Sequence, residues 1–155
     1  MKKTEQVIEV LNDLILINND RISGYEKAAY EIRDKSPNMQ ELFLRLAGDS
    51  RAYVRDLHAK VLQLGGLPQK GTSTAGKLYR GWMDMKAAFT GNDAHAILES
   101  CERGEDATQE TYEDAMEIAK EFPADVKIQI EIQKKSLKAS HDLIRKYRNS
   151  YIAVK

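Results

Sequence analysis

Two polar side chains interrupt otherwise apolar helical stripes, Glu105 and His141. A carboxylate and an imidazole turned into a helical core are donors that iron or manganese would accept. A carboxylate-bridged dinuclear centre asks for more. It takes a Glu from each of two helices and a Glu-x-x-His from each of two others, the i, i+3 spacing placing both donors on one face. Three residues before His141 stands Lys138, and three before His58 stands Arg55. A displacement of 87 positions carries Tyr25-Glu26-Lys27-Ala28 onto Tyr112-Glu113-Asp114-Ala115, which reads as an internal duplication. Under it Glu105 answers to Asn18, His141 to Val54 and Lys138 to Arg51. Two of six ligands survive, and cations stand where bridging carboxylates belong, which repels a dication. Glu105 and His141 are therefore expected to form a buried polar pair, with Lys138, Asn18, Tyr25 and Tyr112 nearby, because a carboxylate on a core stripe must be paired. Metal ligation by the two is the alternative.

Other reactive groups have simpler readings. Cys101 is the only cysteine, which excludes an intrachain disulfide and a cysteine-based zinc cluster; on its helical stripe it reads as a small buried hydrophobe. Trp82 reads as packing from a connecting helix. Lys134, Lys135, Lys138, Arg145, Lys146 and Arg148 make the last helix basic toward its end. This suits the helix dipole, and a partner helix or lipid surface is a further reading of it. No glycine-rich phosphate loop or nucleophile motif occurs.

Four amphipathic segments position these groups. Val7, Leu11, Leu14, Asn18, Ile22, Tyr25, Ala29 and Ile32 recur at steps of three and four, with Thr4 as a start cap. A second stripe runs from a cap at Asn38 through Phe43, Leu46, Ser50, Val54 and Leu57 to a stop at Gly65-Gly66. A third passes through Ile97, Leu98, Cys101, Glu105, Thr108 and Tyr112; a fourth follows Pro123 through Ile130, Gln133, Leu137, His141 and Ile144. Between the second and third, Leu78, Trp82, Met85 and Phe89 form a narrow stripe on a shorter helix. The spacing predicts one domain over 1–155, two helical hairpins at 4–64 and 93–151, and a crossover helix at 73–90. Short turns make each hairpin antiparallel. The long crossover makes helices two and three parallel, the ferritin-like form of an all-α four-helix bundle.

The 155 residues carry 24 Lys+Arg and 24 Asp+Glu, a balance that speaks against a general nucleic-acid binder. No run approaches the ~20 apolar residues of a membrane span, and a cytoplasmic setting is expected.

With these elements in place the chain resembles a bacterial family of ferritin-like bundles known only as a domain of unknown function. The resemblance rests on Leu11-Asn12-Asp13-Leu14, Gly24-Tyr25-Glu26-Lys27-Ala28, Tyr79-Arg80-Gly81-Trp82-Met83-Asp84-Met85-Lys86, Cys101-Glu102-Arg103-Gly104-Glu105-Asp106 and His141-Asp142-Leu143-Ile144-Arg145. It implies the fold, a bacterial cytoplasmic setting and a stress-related context, and brings no ligand set or catalytic residue. The expected function is a non-catalytic binding or interaction module, homo-oligomeric (a dimer) or bound to a protein partner, without a cofactor. The alternative is an iron-handling or other metal-dependent oxidoreductase with an atypical site, using iron or manganese.

Overall fold

The computed structural model describes residues 2–72, 82 and 94–154, apart from the side chains of 2 and 151–154. Four long helices carry the fold: α1 (Lys2–Ile32), α2 (Pro37–Gln63), α3 (Ala94–Ile118) and α4 (Ala124–Val154), with a 3-10 turn at Ala119–Glu121 before α4. The apolar stripes become the core: Leu11, Leu14, Phe43, Leu46, Leu57, Leu98, Cys101, Ile130, Leu137 and Ile144 are buried. Of the crossover helix expected at 73–90, only Trp82 is among the described residues, helical and fully buried; Leu78, Met85 and Phe89 lie outside them.

The ends differ in detail from expectation. Helix α1 begins before Thr4. Ser36, not Asn38, caps α2: its Oγ accepts the Met39 N–H at 3.1 Å, and Pro37 takes the first turn, where its missing N–H costs nothing. Gly65 ends α2 at φ +84°, a conformation that penalises any Cβ. Gly66 follows so close to Ile8 that an added Cβ would sit 2.8 Å from its side chain.

Helix directions follow from which residues bond across the bundle. Asn18 meets Tyr112 while Arg21 meets Glu105, so α3 runs antiparallel to α1. Lys60 meets Asp125 while Tyr53 meets Ser136, so α4 runs antiparallel to α2. With α1 and α2 joined by a tight turn, α2 and α3 are parallel, so the end of α2 and the start of α3 lie at opposite ends of the bundle. The residues that follow α2 run along α1. Asn12 donates to the Leu67 carbonyl at 3.2 Å and accepts the Gln69 N–H at 2.9 Å. Asn19, seven residues on and on the same face, donates to the Gly71 carbonyl at 2.7 Å. Two asparagines thus supply the hydrogen bonds a strap without regular structure lacks.

Candidate functional site

All four helices contribute to a polar network in the middle of the bundle. Asn18, Arg21 and Tyr25 occupy i, i+3 and i+7 of α1, one face; Ser50 comes from α2, Glu105 and Tyr112 from α3, and Gln133 from α4. Each is buried. Arg21 grips Glu105 with two bonds, Nε to Oε1 at 2.9 Å and an Nη to Oε2 at 3.1 Å. Its other Nη donates to the Leu46 carbonyl at 3.0 Å and to Ser50 Oγ at 2.7 Å. From there the donors run in one direction: Ser50 to Asn18 Oδ1 at 2.9 Å, Asn18 to Tyr112 Oη at 2.8 Å, Tyr112 to Gln133 Oε1 at 2.6 Å. Tyr25 closes the other end by donating to Glu105 Oε2 at 2.8 Å.

Burial works against the Arg21 charge, but the Glu105 carboxylate and its hydrogen bonds outweigh it and hold the guanidinium above its ordinary pKa. Burial, then the Glu105 charge, pushes both the Tyr25 hydroxyl and the Cys101 thiol well up, so both stay protonated. Burial likewise raises Tyr112, against the opposing hydrogen bond from Asn18. Aromatic rings seal the site. Trp82 stands edge-on to Tyr25 at 5.3 Å, Phe43 stacks on Tyr25 at 5.6 Å, and the Trp82 indole donates to Thr108 Oγ1 at 3.1 Å. Gly104 admits the indole: a Cβ there would lie 2.4 Å from the ring.

Glu105 and His141 do not meet. Glu105 gives both oxygens to Arg21 and Tyr25. His141, its side chain 10% exposed, turns Nε2 to Asp106 at 2.5 Å and Nδ1 to Asp142 at 3.3 Å, on the rim between α3 and α4. The expectation of one shared polar pair is corrected to two clusters, because Arg21 takes the place at Glu105 that His141 was expected to fill. Asn18, Tyr25 and Tyr112 do join Glu105, as expected; Lys138 does not. Lys138 is exposed and pairs with Asp142 at 2.8 Å, and exposed Arg51 pairs with Glu26. The displacement places Arg51 toward the core, but the structure turns Ser50 inward instead. The cation in the core is one that stripe reading missed. The apolar periodicity of α1 passes through Ile22, which is partly exposed, while Arg21 next to it is fully buried. Its place three after Asn18 and four before Tyr25 was the available signal.

These residues do not fit a carboxylate-bridged dinuclear metal. The core there offers one carboxylate, two amides, a serine and two phenols kept protonated, and the carboxylate is occupied by a guanidinium. Asp20, the other buried carboxylate among the described residues, is two positions from Asn18 and so lies across α1 from it. Among the described residues no group of three or more His, Cys, Asp or Glu is placed to hold a metal ion.

The model of the family described as "Domain of unknown function (DUF2383)" matches residues 6–118. The chain belongs to this family. No curated protein matches the chain. Solved structures place this DUF2383 bundle in the ferritin-like fold. A bacterioferritin of Desulfovibrio desulfuricans, which has a diiron site, superposes with a TM-score of 0.81 at 21% identity, covering 96% of this chain and 81% of that one. The bacterioferritin of Rhodobacter capsulatus, with a metal-free dinuclear site and haem iron, gives 0.81 at 18% identity over 97% and 88%. A dodecameric thioferritin of Bacteroides fragilis gives 0.67 at 12% identity over 99% and 96%. The DUF2383 chain thus keeps the ferritin-like four-helix bundle. No helix among its described residues is long and apolar enough to cross a membrane.

Proposed function

We propose that this protein is a non-catalytic ferritin-like bundle that works by association, with an arginine–glutamate pair closing its core at mid-bundle. The observation that carries the reading is the Arg21 guanidinium, fully buried and bonded twice to Glu105. A fixed cation at hydrogen-bonding distance from the carboxylate both neutralises that donor and repels a dication. A homo-oligomeric state belongs to the same proposal and has support in the dodecameric Bacteroides fragilis neighbour. So do the division into hairpins 4–64 and 93–151 with a crossover helix at 73–90, and the bacterial, cytoplasmic and stress-related setting implied by the family resemblance.

The test is metal content together with ferrous oxidation. Protein grown in iron- and manganese-supplemented medium should carry less than one metal ion per chain, and should not speed the oxidation of added Fe2+ by oxygen. Two ions per chain, or oxygen-dependent ferrous oxidation lost in Glu105→Gln, would overturn the proposal in favour of an iron-handling oxidoreductase.

A further inference from the structure

Helix α4 has a second face. Ile128, Ile132, Lys135, Ala139 and Lys146 are spaced 4, 3, 4 and 7 apart, which at 100° per residue confines them to a band of roughly 60°. This band is turned away from the core residues Ile130, Leu137 and Ile144. Ile128 and Ile132 are 56% and 62% exposed, an apolar pair one turn apart in water. Lys135 reaches its intrachain partner Glu131 only at 3.9 Å, and Lys146 has no ion pair among the described residues.

On the opposite pair of helices lies a surface with the complementary chemistry. Ile118, at the end of α3 and 45% exposed, is shared by two adjoining hollows between α1 and α3, of about 170 and 530 Å3. Val10 and Leu14 line the first together with Asp13; Glu9 and Glu121 line the second. Lys3 and Glu5 also line the second hollow, and none of Glu9, Asp13 and Glu121 forms an ion pair with Lys3 or another described residue. Burial, then the Glu9 charge one turn away, holds the Asp13 carboxyl above the usual range. Like charges at i, i+4 are destabilising until a cation arrives.

We propose that the α1/α3 groove around Ile118 receives the outward face of α4 from a second copy of this chain, Ile128 and Ile132 against Ile118 and Lys135, one turn further on, against the acids Glu9, Asp13 and Glu121. The proposal rests on the reading of the protein as a self-associating module and names its surfaces. Charge decides the occupant. The chain is neutral overall, with 24 charges of each sign, yet the two faces carry unlike ones. Groove on groove would set carboxylates against carboxylates, and α4 on α4 would leave the groove acids without counter-ions. A contact between two different surfaces of identical chains is head-to-tail, so it propagates into a closed ring or a filament.

Sedimentation of the full chain tests this through two variants. Ile118→Asp damages the groove and leaves the α4 face intact; Ile132→Asp does the reverse. Both sites are about half exposed, so the helical circular dichroism should persist; Glu121→Lys replaces Ile118→Asp if that variant fails to fold. Wild type should associate with rising concentration and more weakly at high salt. Each variant alone should lose at least roughly tenfold in association. Mixed, they should form a one-to-one heterodimer and nothing larger, since only one intact pair of faces remains. Wild-type assembly by Ile118→Asp alone, or a mixture without heterodimer, would overturn the proposal. So would a wild type that stays monomeric at every concentration, and cosedimentation of that monomer with anionic vesicles would assign the α4 face to lipid instead. Metal content is indifferent to these outcomes, so failure here leaves the ion-paired core standing, and bound iron would overturn the core reading alone.

Discussion

The two halves of the bundle core are built on one frame, and one of them holds an ion pair where the other is neutral. Tyr25 of the first hairpin bonds Glu105 of the second at 2.8 Å; 87 positions on, Tyr112 of the second bonds Asn18 of the first at 2.8 Å. The two tyrosines, 87 positions apart, thus reach across the bundle to residues that are themselves 87 positions apart. In one half that position holds a carboxylate, and Arg21 closes its charge. In the other it holds a neutral amide, and the position equivalent to Arg21 holds Thr108, whose hydroxyl donates to the Gly104 carbonyl at 2.9 Å. A ferritin-like four-helix frame can therefore hold unlike polar groups in its two halves, provided every buried donor and acceptor finds a partner inside the protein.

The charged half should be the more fragile. Arg21→Met leaves Glu105 buried without a counter-charge, for which a loss of about 3–5 kcal/mol is expected. Adding Glu105→Leu to that variant should recover part of the loss, because an apolar pair has no ion to desolvate. Urea unfolding of wild type, single and double variants measures both. A single variant that loses no more than the double would remove the distinction between the halves.

The alkaline limb of stability compares the halves through their tyrosines. Both Tyr25 and Tyr112 are raised in the folded protein above the unfolded value of about 10. Their contribution is therefore intact below pH ~10 and is lost as the pH climbs toward their folded values. In a spectrophotometric titration, phenolate absorbance should fall short of all seven tyrosines until the chain unfolds. Asn18 donates to Tyr112 and favours its phenolate, whereas Glu105 opposes that of Tyr25, so Tyr25→Phe should delay alkaline unfolding more than Tyr112→Phe. The reverse order would mean that Glu105 is not the charge that the structure places beside Tyr25.

Asn18→Ala probes the neutral half. It removes the acceptor of Ser50 and one donor to Tyr112, whose own proton still goes to Gln133. The cost should be about 1–3 kcal/mol, below that of Arg21→Met. Equal losses in the same unfolding assay would show that charge is not what separates the halves.

The stripes, the turns and the parallel relation of α2 and α3 could be read from spacing because each reflects a period or a length. Glu105, Asn18 and both tyrosines were legible as polar interruptions of those stripes. Arg21 was not, because its long side chain sits one position off the apolar count and its burial is decided by a partner on another helix, 84 residues away. The same limit misplaced Arg51 and Lys138. A displacement aligns sequences to within a residue, but one residue turns a helix by 100°, enough to exchange Ser50 in the core for Arg51 on the surface.

His141 supplies the smallest expected effect and the sharpest contrast. Like Glu105 it interrupts an apolar stripe and meets a polar partner on another helix, but that partner, Asp106, is 56% exposed and water reaches the contact. A polar contact with one solvated partner contributes about 0–1 kcal/mol. His141→Gln keeps most of the side-chain volume and should shift the unfolding midpoint only slightly. A loss comparable to that of Arg21→Met would place His141 in the core network after all, and would reopen its pairing with Glu105. The two residues look alike as breaks in a stripe; what separates them is the solvation of the partner, which spacing along one helix does not encode.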